Sequence, residues 1–263
     1  MSLLHPIRTA RRSRATSQPF PAAWDEIVAR NFPMDARLPE SDRVELRRRM
    51  QIFLAEKRFE GVGGLEMSDE IRVTVAAQAC LLLLHLADDD YPALSTILVY
   101  PTAYRAHATE HGEFGMVTEI EQVRAGEAYN AETIVLSWDD VLGGTGDGDG
   151  HNVVFHEFAH QLDMEDRDAN GAPVLAHHGM YAAWARVLGQ EYEQLQEAVE
   201  RHERTLMDAY GTQSPAEFFA VATETFFEKP MKLRDEHSEL YAQLREFYRQ
   251  DPAAWPAEPE QQR

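Results

Sequence analysis

His156-Glu157-Phe158-Ala159-His160 sets two imidazoles four residues apart, with a carboxylate beside the first. On a helix, positions i and i+4 share one face about 6 Å apart, so both rings can reach one metal ion. Glu157 stands next to them, where it can take a proton from a water held at that ion. Zinc suits the pattern, because it lowers the pKa of a bound water to about 7 and polarises a carbonyl. Val153, Val154, Phe155, Phe158, Ala159 and Leu162 surround the motif. They make His151 to Asp163 a largely buried helix, in which two histidines and a glutamate are costly without partners. Asp163 falls seven residues after His156, on the same face. It suits an outer carboxylate that orients an imidazole or a backbone amide, and equally an exposed residue of the last turn.

A catalytic zinc site needs a third protein ligand. The metzincin positions after the second histidine hold Asp163 and Asp166, which excludes that class. A glutamate from a later helix is the alternative. Ser214 is a fitting helix cap and Pro215 a fitting first residue for the segment running to Phe227. Glu217 and Glu224 stand seven residues apart in that apolar stretch, on one face. Buried glutamates are rare unless paired or bound to metal. Ser214-x-x-Glu217 also reads as a capping box, so spacing alone does not rank Glu217 above Glu224. His177 and His178 are a third option, in a loop-like stretch.

Other patterns compete. His107-x-x-Glu110-His111 has the order of an inverted zincin motif, but it lacks an apolar stripe and stops at Gly112, which fits a solvated loop. Gly143 to Gly150 lacks the lysine of a phosphate loop and the closing glutamate of a calcium loop; a rim of the cleft is the better reading. Glu157-x-x-His160 has no second copy to build a di-iron site.

The elements that must position these groups are mostly helices. Pro39 to Glu60 has helical spacing with Ser41 as cap, and Gly61 and Gly63-Gly64 stop it. Another helix starts at Ser68 or Asp69 and runs through the leucines at 81–84, with Cys80 as a small core residue. Thr96 to Tyr100 and Glu132 to Trp138 are strand signals, and Phe114 to Val123 a weaker one. From about Ala176 to Gln250 the pattern is helical. Few strands among many helices, without βα alternation, predict an α+β fold: a mostly helical domain with a small mixed sheet. Residues 21–250 read as a single domain, 1–20 as a disordered basic tail and 251–263 as a frayed end.

Of the 263 residues, 44% are hydrophobic and 27% charged, which excludes a wholly disordered chain. Lys plus Arg number 25 against 45 Asp plus Glu, a net charge of -20. Such acidity argues against nucleic acid and against anionic membranes. The longest apolar stretch is shorter than the roughly 20 residues a membrane span needs. A lone cysteine and no secretory signal fit a soluble cytoplasmic protein.

Larger blocks show a family likeness. The sequence resembles the Mlc titration factor A family of zinc peptidases in Ile97 to Pro101, Thr133 to Trp138, Asn152 to Asp163, Asp208 to Phe227 and Phe247 to Pro252. The likeness spreads over most of the chain from about residue 25, leaving the basic tail outside. It implies a zincin-like, gluzincin-type domain with Zn2+ held by His156, His160 and Glu217. Glu157 is then the general base, Tyr210 a donor to the oxyanion of the tetrahedral intermediate, and Glu224 an outer carboxylate bonded to a ligand histidine. It also implies aminopeptidase activity on peptide substrates and binding of Mlc, the repressor of glucose-uptake genes. The strand Thr133 to Trp138 would offer its edge to an extended peptide. The rival reading is a regulatory protein whose zinc is structural and which sequesters such a transcriptional repressor.

Overall fold

The computed structural model describes residues 5–86, 91–111, 117–124, 126–145 and 149–256, and side chains outside 5–7 and 104–130. Three helices open the chain: α1 (His5–Thr16), α2 (Ala22–Asn31) and α3 (Glu40–Glu56). Then β1 (Arg58–Gly61), α4 (Asp69–Leu83) and β2 (Thr96–Tyr100) follow. β3 (Tyr104–His111) and β4 (Val117–Arg124) form an antiparallel pair of their own. β5 (Gly126–Asn130), β6 (Thr133–Ser137), α5 (Trp138–Gly143) and α6 (Val153–Asp163) lead to the helical second half. That half holds α7 (Met180–Glu200), α8 (Pro215–Glu228), α9 (Pro230–Glu236) and α10 (Ser238–Tyr248). The fold is α+β and mostly helical, as the sparse strand signals predict.

The main sheet has the order β1-β2-β6-β5, with β1, β2 and β6 parallel and β5 antiparallel. Ile97 and Val99 of β2 and Ile134 and Leu136 of β6 are fully buried, which suits strands covered by helices. β6 pairs with β2 on one side and β5 on the other, so it has no edge to give a peptide; β5 is the outer strand there. That overturns the expectation for Thr133 to Trp138. Trp138 instead starts α5, with Ser137 Oγ capping it.

The third helix is shorter than expected. It ends at Glu56, because Lys57 turns away and donates Nζ hydrogen bonds to the carbonyls of Tyr91 and Leu94 (2.6 and 2.8 Å). Phe59 and Glu60 then pair with Ile97 and Leu98 as β1. Pro39, not Ser41, occupies the cap position. A long-range parallel pairing has overridden local helical spacing here. α4 does begin at the Ser68 cap, and its residues from Val73 to Leu83 are buried, Cys80 included. No helix among the described residues is long and apolar enough to cross a membrane.

Among the described residues, parts of the segments expected as a disordered tail and a frayed end carry helical structure. Residues 5–16 are helical, and α1 packs on α3. The Arg8 and Arg12 guanidiniums meet Glu56, Arg12 at 2.7 and 3.0 Å. These pairs tie two arginines of the basic run, which read as a disordered tail, to the end of α3. At the other end Pro252 is buried and the Trp255 ring lies 6.3 Å from that of Phe227. Residues 257–263 fall outside the described residues.

α8 is the packing hub. Every residue from Phe218 to Glu228 is buried, and α8 packs against α6, α7, α9 and α10. Phe227 is fully buried between Phe155 (5.3 Å between ring centres) and Tyr248 (5.2 Å). Phe227→Ala is therefore expected to cost about 3–5 kcal/mol, read from the denaturant midpoint. A loss below about 1 kcal/mol would show that this contact does not tie α8 to α6.

Candidate metal centre

α6 starts where Asn152 takes the cap position and its Oδ1 accepts from the Phe155 amide (2.9 Å). From there one face of α6 turns Val154, Phe155 and Phe158 into the core. The other carries His156 and His160 toward α8. Their Nε2 atoms lie 3.2 Å apart, and Glu217 Oε2 meets them at 2.9 and 3.3 Å. All three donor atoms lie within 4.8 Å of one another, the one group among the described residues arranged to hold a metal ion. Two imidazole nitrogens and one carboxylate oxygen facing a common point are a donor set that fits a zinc-type ion.

Glu217 and Glu224, which spacing left level, take different places. Ser214 Oγ caps the Glu217 amide (3.2 Å), but the Glu217 carboxylate turns to the histidines instead of closing a capping box. Glu224 Oε1 meets His156 Nδ1 at 2.8 Å, while its Oε2 accepts from the Asn152 amide at 2.6 Å. A carboxylate accepts, so Nδ1 carries a proton and Nε2 is the atom turned to the donor cluster. Burial opposes charge on His156, yet the hydrogen bonds it donates to Glu217 and Glu224 outweigh it and hold the ring's pKa up to about 10. Burial likewise works against ionised Glu217, and the two histidines overcome it, drawing the carboxyl down to about 2.

Glu157 is buried on α6, and its charge adds to the pull on His156. Tyr210 lies in a short 3-10 turn, Ala209–Thr212, with its ring centre 5.8 Å from that of His156 and about half its surface exposed. Asp208 starts that turn by accepting from the Tyr210 amide (2.7 Å). Asp163 is fully buried and accepts from the amide of Gly171 at 2.8 Å; Gly171 itself has φ +76°, a conformation that favours glycine. Of the options that spacing left for it, the structure shows the backbone amide. His177 and His178 are exposed and stand outside the donor group. The His107-x-x-Glu110-His111 pattern lies on β3, neither a helix nor a loop.

Two polar residues went unnoticed in the sequence. Asn152 Nδ2 donates to the Gly144 carbonyl (2.7 Å) and to Glu228 Oε1 (3.2 Å). A polar residue directly before the apolar run, and a glutamate four after Glu224, were the only signals. Burial pushes the Glu228 carboxyl up to about 7, against the Asn152 hydrogen bond, with Asp149 and Glu224 adding to the rise. A carboxyl raised in the fold contributes stability that is present below its ordinary 4.5 and lost as pH rises through 7. Glu228→Gln is thus expected to melt near the wild type at pH 4.5 and above it at pH 8. A gain of about 2–4 °C would correspond to about 1 kcal/mol. Equal melting curves at pH 8 would contradict it.

Helix-borne histidines closed by a carboxylate from a second helix, on a mostly helical α+β frame, define a metallopeptidase-like protein. The chain belongs to the glucose-regulated metallo-peptidase M90 family, whose pattern matches residues 7–249. It is 41% identical over 244 residues to the uncharacterized protein slr2042 of Synechocystis sp., covering 92% of this chain and 89% of that one. It is 31% identical over 236 residues to Mlc titration factor A of Yersinia pestis, covering 89% of this chain and 86% of that protein. Mlc titration factor A of Yersinia pseudotuberculosis gives the same figures. The family match starts at residue 7, so it takes in α1, which the sequence blocks alone left outside.

Proposed function

We propose that the protein is a zinc-dependent aminopeptidase, with His156, His160 and Glu217 holding the metal. The observation that carries this is the meeting of Nε2, Nε2 and Oε2 within 4.8 Å on α6 and α8. When bound there, zinc would acidify a water and polarise the scissile carbonyl. Glu157 takes a proton from the attacking water and passes it to the leaving amine. The Tyr210 phenol donates a hydrogen bond to the carbonyl oxygen as negative charge gathers there. Glu224 keeps His156 in one tautomer and orientation, and Asp163 holds the chain after α6 through Gly171. The outer strand β5, not β6, offers the backbone edge along which an extended peptide pairs. The reading includes action in the cytoplasm, where a lone thiol stays reduced.

A second reading has its own support in the relatives named Mlc titration factor A. On it the chain binds an Mlc-like transcriptional repressor, and the metal only closes the fold. Zinc content measured alongside turnover of aminoacyl chromogenic substrates separates the two. The peptidase reading expects about one zinc per chain and hydrolysis that stops with a chelator and returns with Zn2+. Bound zinc with no turnover of any aminoacyl substrate would leave the regulatory reading standing.

A further inference from the structure

We propose that Asn152 and Glu228 form a positioning pair that fixes His156 through Glu224, an inference that rests on the metal site proposed above. Asn152 sits at two critical places at once. It caps the helix that carries His156 and His160, and its amide N–H holds the oxygen of Glu224 that does not touch His156. Moving Asn152 therefore moves the first turn of α6 and the acceptor for His156 Nδ1 together.

A helix cap alone needs one acceptor, and Ser, Thr or Asp supplies it. Asn152 does more, since its Nδ2 fills both donor positions, on the Gly144 carbonyl and on Glu228 Oε1. One acceptor and two donors on so short a side chain is a set that asparagine alone provides. The fit is close: a Cβ on Gly144 would come within 3.1 Å of Asn152 Cα. Glu217, Glu224 and Glu228 follow at steps of seven and four along α8, so they share a face. Their work is graded inward. Glu217 meets the histidine Nε2 atoms, Glu224 meets His156 Nδ1, and Glu228 meets the residue that holds Glu224. Asn152, Glu224 and Glu228 are all buried, so a lost partner is not replaced by bulk water.

The test uses the full chain and Zn2+ itself, with affinity read by competition against a chelating indicator and stability by thermal melting. Asn152→Ser keeps the cap and removes both donors. Glu228→Ala removes one acceptor, and Glu228→Gln keeps it. Thr223→Val is the control, because it strips a buried hydrogen bond to Tyr248 (2.8 Å) on the side of α8 that faces α10. Asn152→Ser and Glu228→Ala are expected to weaken Zn2+ about tenfold, the low end for an outer-shell partner. Glu228→Gln should stay within about twofold, and the double variant should be no worse than the weaker single one. The control should lose stability and keep its affinity. Wild-type affinity in both Asn152→Ser and Glu228→Ala, or a control whose affinity falls with its melting point, overturns the proposal. If Asn152→Ser does not fold, the contrast between Glu228→Ala and Glu228→Gln decides. A wild-type chain that binds no Zn2+ overturns the metal site itself, and needs no variant to show it.

Discussion

Replacing Glu157 by glutamine is expected to cut peptide hydrolysis by about 10²–10⁴-fold, the range that a positioned general base contributes. Glutamine keeps the length of the side chain and one acceptor, but it takes up no proton at neutral pH. Glu157 is not among the three donor atoms that meet, so Zn2+ affinity should stay within about threefold of the wild type. The two readouts must therefore part: turnover collapses and metal stays. A merely structural glutamate would not part them, because a loosened α6 would weaken metal and turnover together. Wild-type turnover in the glutamine variant would remove Glu157 as the base. Matched losses of metal and turnover would recast it as a support of the helix.

The groups on α6 were readable because a 3.6-residue period and an apolar stripe define both the helix and the face. Two steps beyond that were not. The choice between Glu217 and Glu224 depends on where α8 crosses α6, and a spacing of seven says only that both share a face. The crossing puts the N-terminal carboxylate at Nε2 and the next at Nδ1. Tyr210 comes from a short turn with no periodicity of its own, so only family likeness pointed to it. Non-local contacts account for the fold-level misses in the same way. Arg8 and Arg12 of α1 read as part of a tail because their partner, Glu56, lies more than forty positions away. Phe59 and Glu60 look helical until β2 is there to pair with them. Asn152 escaped notice because a cap is one residue, and its extra donors matter only once Gly144 and Glu228 are beside it.

Glu217→Ala is expected to weaken Zn2+ by more than about 100-fold, beyond the 10–100-fold typical of an outer-shell partner. Two arguments set the size. Glu217 Oε2 meets both histidine Nε2 atoms, so its loss takes the donor set from three to two. A glutamate carboxyl is ionised at neutral pH, so it contributes a negative charge facing the cation. The side chain is partly exposed, and its removal leaves no cavity in the aromatic core of α8. The variant should therefore fold, and the loss can be read as ligation. Glu224→Ala should fall in the 10–100-fold range, because it disturbs the orientation of His156 without removing a donor. His107→Ala should leave metal content unchanged, since its motif lies on β3. The order is the decisive result, measured by the same competition with a chelating indicator. Metal lost more readily from Glu224→Ala than from Glu217→Ala would exchange the roles of the two carboxylates. Metal lost from His107→Ala would move the centre away from α6 altogether.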